Sequence, residues 1–74
     1  MNPKDKIIEI IDANGGCKLK HILKILGLDT KPEGEEFSLW YENSYRLVDR
    51  VLQELKREGK IEYRRGKGGG WYLL

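Results

Sequence analysis

The stretch with the clearest chemical capability is "RRGKGGG", residues 64–70, in which three cations lie among four glycines. Arg64, Arg65 and Lys67 attract phosphates, and glycines let backbone N–H groups approach an anion without intervening side chains. The absence of the GxxxxGK[ST] pattern disfavours a phosphate-binding P-loop. The stretch is therefore either a phosphate-contacting loop or a basic loop tip that meets only water. An arginine-glycine RNA-binding segment is a further alternative, although such segments are usually longer.

A second set of polar side chains follows helical spacing in "NSYRLVDRVLQELKREGK". Asn43 or Ser44 can cap a helix over residues 44–58, which Gly59 ends, and an apolar stripe then faces the core. The side chains expected to point away from the core are Tyr45, Arg46, Asp49, Arg50 and Gln53. This face either binds a polar partner or is an ordinary solvated surface. Arg46 and Arg50 repel each other at i, i+4 spacing, which favours the binding interpretation.

The sequence has too few reactive side chains for the common catalytic or metal sites. Cys17 is the only cysteine and His21 the only histidine, so an internal disulfide and a zinc site are excluded. We interpret Cys17 as a small, semi-buried apolar residue and His21 as a partly exposed helix residue. No nucleophile has an evident base and orienting partner, so we predict no enzyme, no cofactor and no metal. No small-molecule ligand is identifiable either.

Composition and charge set the class of protein. The 74 residues, 39% hydrophobic and 35% charged, are expected to form one globular domain over residues 1–74. No apolar run approaches the roughly 18 residues of a membrane span, and "MNPKDK" is not followed by a signal-peptide core, which predicts a cytoplasmic protein. Residues 29–43 contain five acidic residues and one lysine, whereas residues 44–74 contain eight basic and four acidic residues. The positive charge is therefore concentrated in the C-terminal part.

Two short amphipathic helices are expected before the acidic stretch. In "NPKDKIIEIIDANGG", Asn2 can cap the helix, Pro3 suits its first position, and the residues from Asn14 to Gly16 end it. In "CKLKHILKILGL", the apolar residues follow i, i+3, i+4, i+7 spacing and Gly27 provides the stop. We expect a brief extended stretch at Cys17 and Lys18 between the two helices.

The connection "DTKPEGEEFSLWYEN" opens as a polar loop and then becomes too apolar for an idle surface loop. Phe37, Trp40 and Tyr41 lie at helical spacing, so one or two helical turns are expected there. These aromatic residues either cover the small core, which we favour, or form a dimer contact, or meet a ligand.

The C-terminal stretch "KIEYRRGKGGGWYLL" has the pattern of a β-hairpin. "IEYR" alternates apolar and polar residues, glycines from Gly66 to Gly70 form a turn, and an apolar strand returns. A hairpin alone is marginally stable in water, so it must pack on the helices. We predict that the strand 71–74 closes the core while residues 64–70 project.

The order of these elements resembles the winged helix-turn-helix family of DNA-binding domains. The matching stretches are "LKHILKILGL", "SYRLVDRVLQELKREGKI" and the closing "GGGWYLL", and the resemblance covers almost the whole chain. It implies an α+β winged helix-turn-helix fold with three helices and a C-terminal β-hairpin wing. One departure is the connection between helices 2 and 3, since about 15 residues replace the family's tight turn.

The resemblance also implies a function and its residues. In such proteins the second helix of the motif lies in the major groove of double-stranded DNA. Helix 44–58 would then place Ser44 and Tyr45 at the entry of the groove, with Arg46, Arg50 and Gln53 facing bases. Arginine can bond two acceptors of guanine, and glutamine can pair with adenine in the same way. Arg64, Arg65 and Lys67 of the wing 64–70 would contact the backbone or minor groove.

These expectations define a small transcriptional regulator that binds DNA sequence-specifically. A homodimer is expected because one such domain contacts few phosphates and two copies can place their helices about 34 Å apart on a palindromic site. The alternative is a winged-helix protein-protein interaction module that docks through the acidic and aromatic insertion 29–43.

Overall fold

The computed structural model describes residues 3–74, which form an α+β fold of three helices and a C-terminal two-stranded antiparallel hairpin. The predicted capping residue Asn2 lies outside the described residues. The third helix is long and has three parts, α3, a π turn and α4. The elements in order are α1 (Pro3–Ala13), α2 (Leu19–Leu26), α3 (Phe37–Tyr41), the π turn (Glu42–Arg46), α4 (Leu47–Arg57), β1 (Ile61–Arg64) and β2 (Gly70–Leu73).

The ends of the first two helices follow the sequence signals. The Asn14 side-chain amide donates a 3.0 Å hydrogen bond to the Ile10 carbonyl, and Gly16 then takes a φ of 84°. At the end of α2, Gly27 has a φ of 75° and the Leu28 N–H donates a 2.8 Å bond to the Leu23 carbonyl. Leu28 therefore folds back against the core, as the glycine stop predicts.

The third helix begins earlier than the sequence predicted. Glu42 and Arg46, at the two ends of the π turn, both have right-handed helical backbone angles, so the helix continues unbroken from residue 37 to residue 57. The predicted start at Ser44 is therefore wrong. The Ser44 hydroxyl donates a 2.5 Å bond to the Trp40 carbonyl instead of capping N–H groups ahead of it. A serine that bonds back to the preceding turn is compatible with a helix interior.

The core lies between the three helices and the hairpin. Its buried apolar residues are Ile7, Ile10, Ile11, Cys17, Ile22, Leu23, Val48, Val51, Leu52, Leu55, Ile61 and Trp71. The return strand contributes less than predicted, because Leu73 and Leu74 are 40% and 66% exposed and only Trp71 is buried. Trp71 thus closes the core without the last two leucines.

The hairpin pairs β1 with β2 so that Ile61 lies opposite Leu73 and Tyr63 opposite Trp71. Cys17 adds a third extended segment to the other edge of β2. The Trp71 N–H donates a 2.7 Å bond to the Cys17 carbonyl, and the Gly16 N–H donates a 3.0 Å bond to the Trp71 carbonyl. The extended stretch predicted at Cys17 therefore fastens the hairpin to the turn after α1.

No helix within residues 3–74 has the length and apolar character needed to cross a membrane.

Candidate functional site

The outer face of the long helix gathers the polar residues predicted to bind. Arg46, Asp49, Arg50 and Gln53 surround a shallow surface depression, and all four are exposed. Arg57 and Glu54 complete its lining. Sequence reasoning missed Arg57, although its position seven residues after Arg50 places it on the same face. The face offers three guanidinium groups to a partner, interspersed with two carboxylates.

Arg46 already has an intramolecular partner on this face. Its Nε lies 3.6 Å from Oε1 of Glu42, one helical turn earlier, and both side chains are more than half exposed. Such an exposed pair contributes about 0.3–0.5 kcal/mol and exchanges readily for another partner. Among residues 3–74, Arg50 has no hydrogen bond or ion pair, so its five donors are available to a ligand.

Two predicted contact residues do not lie on this face. Ser44 is 1% exposed and bonds to the Trp40 carbonyl, so its assignment to the entry of a groove is wrong. Tyr45 is half-buried against the core and was expected to point away from it. Its ring stacks on that of Tyr41 with centroids 5.5 Å apart. Both residues therefore lie on the inner side of the helix.

The three cations predicted for the wing differ in whether they have a partner within the hairpin. Arg64 is engaged within the hairpin, because its Nε and Nη2 both lie 2.7 Å from Oε1 of Glu62. Its guanidinium also lies 4.3 Å from the centroid of the Tyr72 ring. Arg65 and Lys67 are exposed and, within residues 3–74, have no ion pair. These two cations are the ones available to an external anion.

Backbone and tyrosine contacts hold the glycine-rich tip in place. The Gly69 N–H donates a 2.9 Å bond to the Gly66 carbonyl, and the Tyr72 hydroxyl donates a 2.5 Å bond to the Gly68 carbonyl. Gly66 and Gly68 have φ angles of 97° and 77°, a region that only glycine adopts readily. The cations Arg65 and Lys67 therefore project from a defined turn.

The start of the long helix projects beyond the core. Among residues 3–74, α3 contacts no helix or strand except the π turn that follows it. Phe37 is 64% exposed and Tyr41 40% exposed, so the prediction that they cover the core is wrong for both. The Phe37 ring stacks on Tyr41 with centroids 5.9 Å apart, and the ladder continues to Tyr45. This aromatic ladder, Phe37, Tyr41 and Tyr45, follows one side of the helix.

Trp40 is the member of the predicted aromatic cluster that packs inward. It lines a small cavity of about 120 Å³ together with Leu28, Pro32 and Glu35 of the preceding loop. Its indole Nε1 is buried and has no hydrogen-bond partner among the described residues. Trp40 therefore joins the loop to the helix but leaves one donor unsatisfied, which costs stability.

A charge cluster joins α1 to α4 away from these surfaces. The Lys4 ammonium lies 2.8 Å from Glu58 and 3.3 Å from Glu54. Hydrogen bonds to these carboxylates raise the pKa of Lys4, and the bond from Lys4 lowers the pKa of Glu58. Burial raises the pKa of the Cys17 thiol, which therefore stays protonated at neutral pH.

Comparison of the chain with protein-family models, curated proteins and solved structures finds no match.

Proposed function

We propose that this chain is a small winged-helix protein that binds double-stranded DNA sequence-specifically and regulates transcription as a homodimer. The observation that carries the proposal is the pair Arg65 and Lys67, which have no ion-pair partner among residues 3–74 and project from a turn held by Tyr72. A glycine-rich basic tip of this kind suits phosphates or a narrow minor groove. The element order and the third extended segment at Cys17 support the winged-helix assignment.

The middle of the long helix, rather than its first turn, is the part suited to the major groove. Its first turn follows Glu33, Glu35 and Glu36, and Glu42 lies in the π turn, so this end repels phosphates. Arg50, Gln53 and Arg57 lie further along on the outer face. In this arrangement the projecting end points away from the duplex, and Arg46 exchanges Glu42 for DNA.

Site selection from random duplexes followed by gel-shift titration tests the proposal. We expect Arg50→Ala and Arg46→Ala to weaken binding to the selected site more than to random duplex, because base contacts specify. Arg65→Ala and Lys67→Ala should weaken both equally, because phosphate contacts carry no sequence information. Equal losses for all four variants would contradict the base-reading assignment.

The aromatic ladder favours a second candidate function, a protein-protein interaction module. Phe37 and Tyr41 are exposed on a helix end that carries acidic residues, and such aromatic side chains are typical of contact surfaces between proteins. The absence of any gel retardation at tens of micromolar protein and low salt would favour this function over DNA binding, because electrostatic attraction alone retards a DNA-binding protein under those conditions.

A further inference from the structure

The side of the long helix opposite the aromatic ladder carries a symmetric pattern of exposed residues. Leu39, Asn43 and Leu47 are spaced by four residues each, and the two leucines are 52% and 38% exposed. Each residue of a helix turns the chain by about 100°, so Leu39 lies on the side opposite Phe37 and Tyr41. Eight residues exceed two regular turns of about 3.6 residues by nearly one residue, and the π turn absorbs that excess. Leu39 and Leu47 therefore lie on the same side.

An apolar groove lies next to the second of these leucines. It has a volume of about 240 Å³ and is lined by Ile7, Leu26, Leu28, Leu47 and Val48. Pro3 and Lys6 complete the lining among the described residues, and Lys6 is its only charged residue. Lys6 has no ion pair within residues 3–74. The groove thus combines apolar walls with one positive charge that has no ion-pair partner in the described part of the chain.

We infer that a second copy of this chain occupies the groove, with the two long helices antiparallel and crossing at Asn43. In this arrangement Leu39 of each copy packs against Leu47 of the other and enters its groove. Contact between identical surfaces related by a two-fold axis is the commonest way in which proteins form dimers. Two-fold symmetry requires the contacting residues to lie symmetrically about the axis. Leu39 and Leu47 meet this requirement because each is four residues from Asn43.

Two polar features of the surface match this occupant. The antiparallel arrangement carries Glu33, Glu35 and Glu36, which precede Leu39, past Leu47 of the second copy to the region of its Lys6. Glu36 has no ion pair among residues 3–74, so both members of the intermolecular pair are available. Asn43 of one copy meets Asn43 of the other at the two-fold axis, where each side-chain amide can donate one hydrogen bond and accept one. A central asparagine fixes register and orientation in helix pairs.

This contact is the dimer surface of the proposed DNA-binding homodimer, and its biological role rests on that proposed function. The contact itself is independent of DNA, so measuring it without DNA separates the two. Arg65 and Lys67 of the hairpin tip do not line the groove and lie outside the contact.

Analytical ultracentrifugation of the full chain tests the inference. We expect the wild type to sediment as a dimer of the 8.6 kDa chain and Leu39→Glu to sediment as a monomer. Phe37→Glu is the matched control, because Phe37 also lies in the first turn of the helix but on the opposite side, and it should remain dimeric. Leu39→Gln removes the same apolar contact without introducing a charge. It should also raise the dimer dissociation constant, which separates loss of the contact from any effect of the charge on the helix.

A charge exchange tests the Lys6–Glu36 pair separately. Lys6→Glu and Glu36→Lys should each weaken the dimer about tenfold, because the symmetric contact contains each pair twice. Combining both substitutions should restore the dissociation constant to within about threefold, because each pair is re-formed with its charges exchanged. Three results would overturn the inference. The first is a monomeric wild type, and the second is a Phe37→Glu variant that dissociates while Leu39→Glu stays dimeric. The third is a combined variant whose dissociation constant does not recover.

Discussion

The Ser44 hydroxyl donates a 2.5 Å hydrogen bond to the Trp40 carbonyl, and the π turn of the long helix lies at this contact. Trp40 fixes the preceding loop and Ser44 is buried, so the bond lies where the projecting helix end meets the core. Hydroxyl groups that bond to the carbonyl of the preceding turn commonly bend helices. The contact therefore couples the position of the projecting end to the core.

We expect Ser44→Ala to lower the free energy of unfolding by about 1 kcal/mol, because a buried hydrogen bond is lost and the Trp40 carbonyl loses a partner. Urea unfolding followed by circular dichroism measures the change. Ser38→Ala is the matched control, since Ser38 is exposed in the same helix, and it should change the stability by less than about 0.5 kcal/mol. Equal stability of the Ser44 and Ser38 variants would contradict the structural role of the bond.

Gly70 is expected to tolerate no side chain. It has a φ of 152°, and a Cβ there would lie 2.7 Å from the Cys17 carbonyl oxygen and even closer to the Gly16 carbonyl. Gly70→Ala must displace this backbone, so we expect a loss of about 3 kcal/mol or more in urea unfolding. Gly34→Ala is the control, because Gly34 has a φ of 87° but open space around it. Its loss should be the backbone cost alone, about 1–2 kcal/mol, and a larger loss for Gly34→Ala would refute the steric explanation.

The parts of the fold that depend on local signals were predictable. Gly27 and Gly59 end helices at the expected places with φ angles of 75° and 76°, and alternation in "IEYR" predicts the strand Ile61–Arg64. These signals act over a few residues, so the sequence alone contains them.

The start of the long helix and the location of the aromatic residues were not predictable in the same way. Ser44 has the residue type of a helix cap, and only the fold decides whether its hydroxyl bonds forward or back to Trp40. The aromatic side chains of Phe37 and Tyr41 are of a type that usually packs on a core, but the unbroken helix places them beyond it. For the candidate site, the spacing predicted that Arg46, Arg50 and Gln53 share a face, whereas the pairing of Arg64 with Glu62 depends on strand geometry.

The Lys4–Glu58 pair predicts a dependence of stability on pH. Since the pKa of Glu58 is lowered on folding, its contribution is present above the ordinary carboxyl value of 4.5 and is lost as pH falls through the lower folded value. Thermal unfolding of Glu58→Gln should therefore show a lower Tm than the wild type at pH 7, and the difference should shrink progressively as the pH falls below 4.5. Glu33→Gln, which removes an exposed carboxylate without an ion pair among residues 3–74, should show no such difference. A Tm difference for Glu58→Gln that persists at low pH would contradict the assignment.

The reactivity of the buried Cys17 thiol is expected to report opening of the hairpin. Cys17 is 3% exposed and burial raises the pKa of its thiol, while its carbonyl accepts the bond from the Trp71 N–H. The thiolate is the reactive form, so labelling by a disulfide reagent at pH 8 requires the hairpin to separate from the turn after α1. We expect the native chain to react at least about 100-fold more slowly than the urea-unfolded chain, since local opening costs several kcal/mol. Gly70→Ala, which disturbs the same contact, should speed labelling of the native chain, and Gly34→Ala should not. Equal rates in the native and unfolded chains would show that Cys17 is accessible without opening.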